Sequence, residues 1–141
     1  MEVRIIHFYP DLMNLYGSRA NVLALERYLK GLACDVIVES VVPGGKADIT
    51  RGDFFYMGAG TERNARAAME DFARFGKALK AAALDGAAML FAGTAMDLLG
   101  QTVRVADGSA YDGIGLASFS VEHGKRRIVE DVYGHTDLYP E

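Results

Sequence analysis

Residues 89–100, "MLFAGTAMDLLG", decide the fold of this chain. With Ala87 and Ala88 ahead of it, the apolar run is continuous rather than alternating, the pattern of a parallel strand covered on both faces. It breaks at Gly93 into a short helix, Thr94 to Leu99, that ends at Gly100. In many α/β enzymes such a strand-to-helix turn displays a nucleophile. Here the turn offers Ala92, Gly93 and Thr94, with no Cys, no Ser and no adjacent His. The mount is present and the reactive side chain is not.

Working outward, the same alternation recurs. "VRIIHF" near the N-terminus is β-branched and apolar, a strand closed by Pro10. From Ser18, a plausible N-cap, Val22, Leu25, Leu29 and Leu32 repeat at helical spacing towards Gly31. "CDVIVESVV" is a second strand, stopped by Pro43, Gly44 and Gly45. "DFFYMGAG" is a third, running into a glycine turn. Thr61 is positioned to cap one long helix with Glu62 in its first turn, and Ala65, Ala68, Met69, Phe72, Phe75 and Leu79 form its apolar stripe. "TVRVADG" and "RRIVEDVYG" read as further strands around "GIGLASFSVEHG". Strands alternating with helices predict one domain over 1–141: a three-layer, flavodoxin-like α/β fold, its mostly parallel sheet covered by helices on both faces. Ligands in such sheets sit at the carboxyl ends of the strands, where the turns after Met57 and Phe91 fall.

Composition narrows the function. The chain has 141 residues, a net charge of −4 and a single cysteine, Cys34. The charge gives no footprint for nucleic acid or an anionic membrane, and no apolar stretch reaches the length of a membrane span. One cysteine excludes an internal disulfide framework, and the N-terminus lacks the features of a signal peptide, so a cytoplasmic protein is expected. Cys34, between a helix end and a strand, reads as inert. His7, His123 and His135 stand far apart with no metal-ligand spacing, and no cofactor is expected. His7 ends the first strand, near the pocket; His123 and His135 read as surface residues.

"GAGTER" (58–63) lacks the third glycine of a dinucleotide fingerprint, Arg63 standing in its place, and "PGGKAD" lacks the spacing of a phosphate loop. What remains of the first is a close backbone turn whose amides can face an anion or a polarised carbonyl. "GKRR" (124–127) reads either as a solvated hairpin turn or as a carboxylate grip through its last arginine.

Four stretches, in order from Tyr9 to Val132, together resemble glutamine amidotransferases of the cobyric acid synthase type, in their GatD branch. "YPDLMNLYGSRANVLALERYL" resembles a signature with "LYGDxGN" before the first helix; "GAGTERNA" resembles "GGGQDxEQ"; "MLFAGTAMDLLG" resembles "xLAICGGYQLLG"; and "GIGLASFSVEHGKRRIVEDV" resembles "GLGxxxxxTxxxxxRxxGNV". In that branch the domain is the glutaminase subunit of lipid II isoglutaminyl synthase and works with a Mur-ligase-like subunit, MurT.

The resemblance implies a cysteine nucleophile at the strand-to-helix turn, activated by the helix N-terminus, and backbone amides that meet the oxyanion. Those amides map onto Gly60 and Thr94. The arginine that holds the substrate α-carboxylate maps onto Arg127, with Arg126 the fallback. The cysteine maps onto Gly93, or onto Ala92 if the alignment slips by one, and neither can attack. The glutamine of "GGYQ" is Asp97, and that of "GGGQ" is Thr61. The family domain continues beyond the "GNV" segment, where its histidine lies, so its C-terminal part is expected to be absent here. His135 has no matching context and takes no catalytic role. The expectation is a domain without glutaminase activity that holds a partner or a ligand: a MurT-type subunit or a second copy, and glutamine or another carboxylate. The alternatives are a working glutaminase subunit, if this chain is a fragment or altered copy, and a flavodoxin-like module for some other small ligand.

Overall fold

A computed structural model describes residues 1–126, 131, 133 and 134. Its centre is a parallel sheet of β1 (Glu2–Phe8), β2 (Asp35–Val41), β3 (Phe54–Met57) and β4 (Ala88–Phe91), in the order β2-β1-β3-β4. Parallel neighbours need crossover helices. These are α1 (Arg19–Gly31) between β1 and β2, and α2 (Glu62–Phe72) with α3 (Gly76–Leu84) between β3 and β4. Side chains alternate across the sheet, so Ile6, Phe8, Phe55, Met57 and Phe91 pack with the α2 and α3 stripe, while Ile5 and Tyr56 pack with Val22 of α1. The α/β class with helices on both faces is therefore the observed one.

Four local expectations are corrected. The long helix after Thr61 is interrupted by a 3-10 turn, Ala73–Phe75. The tighter turn keeps Phe72 and Phe75 both against Phe8, with ring centroids at 5.1 and 5.3 Å, and Gly76, a poor helix former, follows it. Ser18 is not a side-chain cap: its Oγ donates to the Leu15 carbonyl, and the Asn14 carboxamide oxygen accepts the Arg19 N–H instead. Leu32 is 59% exposed and drops out of the α1 stripe, because the helix has already ended at Gly31. Finally, β4 is not covered on both faces. Among the described residues it pairs with β3 alone, and Leu90 is 48% exposed.

Beyond β4 the chain forms a short helix, α4 (Thr94–Asp97), and a second, small sheet of β5 (Thr102–Arg104), β6 (Ala110–Asp112) and β7 (Val121–Glu122), in the order β6-β5-β7. Tyr111 and Ile114 seat this part on the main core. "RRIVEDVYG" lies largely outside the described residues.

Candidate functional site

The strand-end turns meet as the parallel sheet requires. β3 and β4 are in register from Phe54↔Ala88 to Met57↔Phe91, and the Ala92 N–H donates to the Met57 carbonyl at 3.0 Å. The two glycine turns therefore begin side by side. The loop after β1 closes over the first of them: Leu15 N–H donates to the Ala59 carbonyl at 2.8 Å, and Asn64 Nδ2 donates to the Leu12 carbonyl at 2.8 Å. A Cβ at Gly58 would run into Ser18 and the Met13 carbonyl, which is why only glycine fits there. Thr61 caps α2 as expected, its Oγ1 accepting the Asn64 N–H at 3.2 Å.

Gly93 joins β4 to α4 with φ +56° and ψ −129°, a backbone state that residues with a Cβ seldom adopt. The resemblance puts the family's nucleophile at this position, which here carries only hydrogen. A Cβ built on Gly93 would stand 3.0 Å from the methyl of Ala59. In the related motif "GGGQ" that neighbour is a glycine. At both positions this chain departs from the motifs it resembles, and the Ala59 methyl lies close beside the bare Cα of Gly93.

Thr94 stands where the motif has a glycine, and its hydroxyl is fully employed. Oγ1 accepts the Gly60 N–H at 3.0 Å and donates to the Gly60 carbonyl at 2.8 Å. The Gly60 amide, expected from the resemblance to meet an oxyanion, is paired inside the protein. The Thr94 N–H, the other such donor, opens α4 and precedes its intrahelical bonds.

The structure corrects the reading of His123 as a surface residue. Its side chain is 19% exposed, and Nε2 lies 2.9 Å from Asp97 Oδ2, whose side chain is 12% exposed. Nδ1 faces Glu62 Oε1 at 3.4 Å, an ion-pair distance without hydrogen-bond geometry. The His123 N–H donates to the Arg104 carbonyl at 2.8 Å, which fixes the residue to β5. Sequence spacing could not reveal this cluster, since Asp97 and His123 lie 26 residues apart on different elements. Burial first, then the Asp97 charge, pushes the nearby Tyr111 phenol above its ordinary range.

His7 does not line an open pocket. It is 2% exposed, edge-on to Tyr56 at 5.2 Å, and its Nε2 is without a hydrogen-bond partner. Burial, with the Arg19 charge adding to it, lowers its pKa from 6.5 to about 4, so the imidazole is neutral at physiological pH. Cys34 is half-buried and free. Arg126 is exposed; Arg127 and His135 lie outside the described residues. No group of three or more His, Cys, Asp or Glu among the described residues is arranged to hold a metal ion, and no described helix is long and apolar enough to cross a membrane.

The chain is 27% identical over 138 residues to the lipid II isoglutaminyl synthase (glutamine-hydrolyzing) subunit GatD of Staphylococcus aureus (strain N315), covering 98% of this chain and 57% of that protein. It is 23% identical over 141 residues to the subunit of the same name from Streptococcus pneumoniae (strain ATCC BAA-255 / R6), covering 99% of this chain and 54% of that protein. The chain thus spans little more than half the length of these curated relatives. The sequence profile of the CobB/CobQ-like glutamine amidotransferase domain matches residues 4–141, and the chain belongs to that family.

Proposed function

We propose that this chain is a GatD-like amidotransferase domain without glutaminase activity, serving as a binding or partner-interaction module. The observation that carries the reading is at one atom: residue 93, where the resemblance would put the thiol, has no side chain, and the Ala59 methyl would stand 3.0 Å from a Cβ there. Thr94 supports it by occupying the Gly60 amide with its own hydroxyl. A hydroxyl whose proton is donated to the Gly60 carbonyl is a poor substitute nucleophile, because no base receives that proton.

The interaction role rests on the edge of the sheet. β4 carries no charged residue, leaves Leu90 48% exposed, and borders a groove of about 240 Å³ lined by Asn21, Val22, Leu25, Phe54, Tyr56 and Leu90. Among the described residues the far edge of β4 is unpaired, and an uncharged edge of that kind is normally covered. The preferred partner is a Mur-ligase-like subunit, since the relatives are named as subunits of a lipid II isoglutaminyl synthase; a second copy of the chain is the alternative. Glutamine or another carboxylate, gripped by Arg127, is the ligand class this reading allows.

A second reading, a glutaminase subunit supplying ammonia for amidation of a peptidoglycan precursor or corrinoid, is favoured by the relatives' names, which include glutamine hydrolysis. The deciding experiment measures ammonia release from glutamine by the purified chain, with and without a Mur-ligase-like partner. Gly93→Cys and the triple variant Ala59→Gly/Gly93→Cys/Thr94→Gly are assayed beside it. The proposal expects no release by the native chain. Glutamine-dependent release above a heat-inactivated control sinks it and leaves the second reading standing.

A further inference from the structure

We infer that Tyr16 is an anchor side chain, held out at the rim of the glycine turns for insertion into a pocket of the Mur-ligase-like partner. This rests on the partner reading proposed above and goes beyond it, naming a contact away from β4 and the chemistry that receives it. Leu15 and Ser18 grip one residue from the two sides of Tyr16: the Leu15 N–H donates to the Ala59 carbonyl at 2.8 Å, and Ser18 Oγ accepts the Ala59 N–H at 3.3 Å. Between them the chain reverses over two left-handed residues, Tyr16 at φ +62° and ψ +22° and Gly17 at φ +75°. Glycine adopts that state freely and asparagine readily, whereas a bulky side chain is an outlier there. Three further bonds close the turn: Gly17 N–H to the Asn14 carbonyl at 3.2 Å, Ser18 Oγ to the Leu15 carbonyl at 2.9 Å, and Arg19 N–H to Asn14 Oδ1 at 2.8 Å. The neighbours therefore impose the left-handed state, and tyrosine bears its cost.

Nothing inside the molecule offsets that cost. Tyr16 is 85% exposed, and among the described residues its phenol makes no hydrogen bond and its ring meets no other ring. The exposure also sets the size of what the ring meets. An aromatic that walled a small-ligand site on this chain would already lie against neighbouring side chains. One free on nearly all sides can be enclosed only by a surface that comes from outside. The turn beneath it offers a small ligand little, since the Gly60 amide is filled by Thr94 Oγ1 and both backbone groups of Ala59 are bonded. Tyrosine suits an interface anchor because it buries a large area with few rotatable bonds, and a backbone fixed before contact lowers the ordering cost of binding. The receiving pocket has apolar or aromatic walls and a hydrogen-bonding group at its end for the phenol.

Thermal unfolding of the chain, and calorimetric affinity for a purified Mur-ligase-like subunit, test this on one set of variants. Tyr16→Asn relieves the left-handed residue, so Tm should rise by about 1–3 °C while affinity falls at least about tenfold. Tyr16→Ala keeps the backbone cost and removes the ring, so affinity should fall as far without the gain in Tm. Tyr16→Phe keeps the ring and should retain most of the affinity. A Tm lowered by Tyr16→Asn would show that the ring supports the fold, and unchanged affinity would show that it does not meet the partner. Either result overturns the anchor and leaves the partner reading intact. Failure of the native chain to bind the subunit overturns both. Light scattering of the native chain and of Tyr16→Asn covers the other occupant: a dimer lost on substitution assigns the ring to a second copy and overturns the contact proposed here.

Discussion

The two faces of the parallel sheet are built differently. On one, α2 and α3 together cover Ile6, Phe8, Phe55, Met57 and Phe91, and the rings of Phe72, Phe75 and Phe91 pack around Phe8, with polar groups only at the margin, where the Tyr9 hydroxyl donates to Asp71 and the Arg74 guanidinium lies over Phe75. On the other, α1 is the only helix that covers the strands among the described residues. Among the described residues, only Ile5, Val22 and Tyr56 are fully enclosed in its apolar cluster, His7 is buried with Nε2 unpartnered, and Leu90 on β4 is 48% exposed. The Tyr56 hydroxyl donates to the Ser18 carbonyl at 2.9 Å and accepts from Asn21 Nδ2 at 2.7 Å, so even the large ring on this face is held by polar bonds. The difference teaches where stability and recognition divide. Two helices can seal an apolar face; one helix leaves margin, and polar or unpaired groups collect there.

The sharpest test of that division is Phe72→Ala, which should cost about 3–5 kcal/mol because it empties the middle of the sealed face. Urea unfolding measures it, and a loss below about 1 kcal/mol would mean that the face is not the stabilising one. Next comes acid. His7 has its pKa lowered to about 4, so the folded protein resists a proton that the unfolded chain accepts near 6.5. Stability is therefore full above about pH 6.5 and falls as pH drops towards 4, by about 3 kcal/mol in total. His7→Phe should flatten that slope; an unchanged slope places the acid sensitivity elsewhere.

At the rim where the two glycine turns meet, Gly93→Cys should destabilise by about 1–3 kcal/mol through its positive φ and the contact with Ala59. Adding Ala59→Gly should recover part of that loss, so the two changes couple favourably in a double-mutant cycle. Strict additivity would show that the methyl does not occupy the space of the missing side chain. The smallest expected effect on folding is Leu90→Ser on the open face, within about 0.5 kcal/mol for the isolated chain. Its large effect should be on association: if the β4 edge is the docking surface, light scattering or pull-down with the partner shows weakened binding. Binding unchanged by Leu90→Ser moves the interface elsewhere.

Much of this was legible before any coordinates. Continuous apolar runs punctuated by Pro and Gly located all four parallel strands, and the stripe from Ala65 to Leu79 is the buried one. Local chemistry of that kind is written at fixed spacings, so periodicity finds it. The break at Ala73–Phe75 escaped because both a continuous and an interrupted helix present the same stripe. The pairing of His123 with Asp97 escaped for a different reason: it depends on where the second sheet folds back, and no residue spacing encodes that contact.

The sequence by itself determined the order of strands and helices, the place of the two turns and the absence of a sulfur at residue 93, because each is a property of residue types at short range. Only the tertiary structure decided that the Thr94 hydroxyl fills the Gly60 amide, that Ala59 lies beside Gly93, that His7 is sealed away and that Leu90 on β4 is half exposed. Those outcomes depend on which segments the fold brings within a few ångströms of each other, and hydrogen bonds, close contacts and desolvation act at that range whatever the distance along the chain.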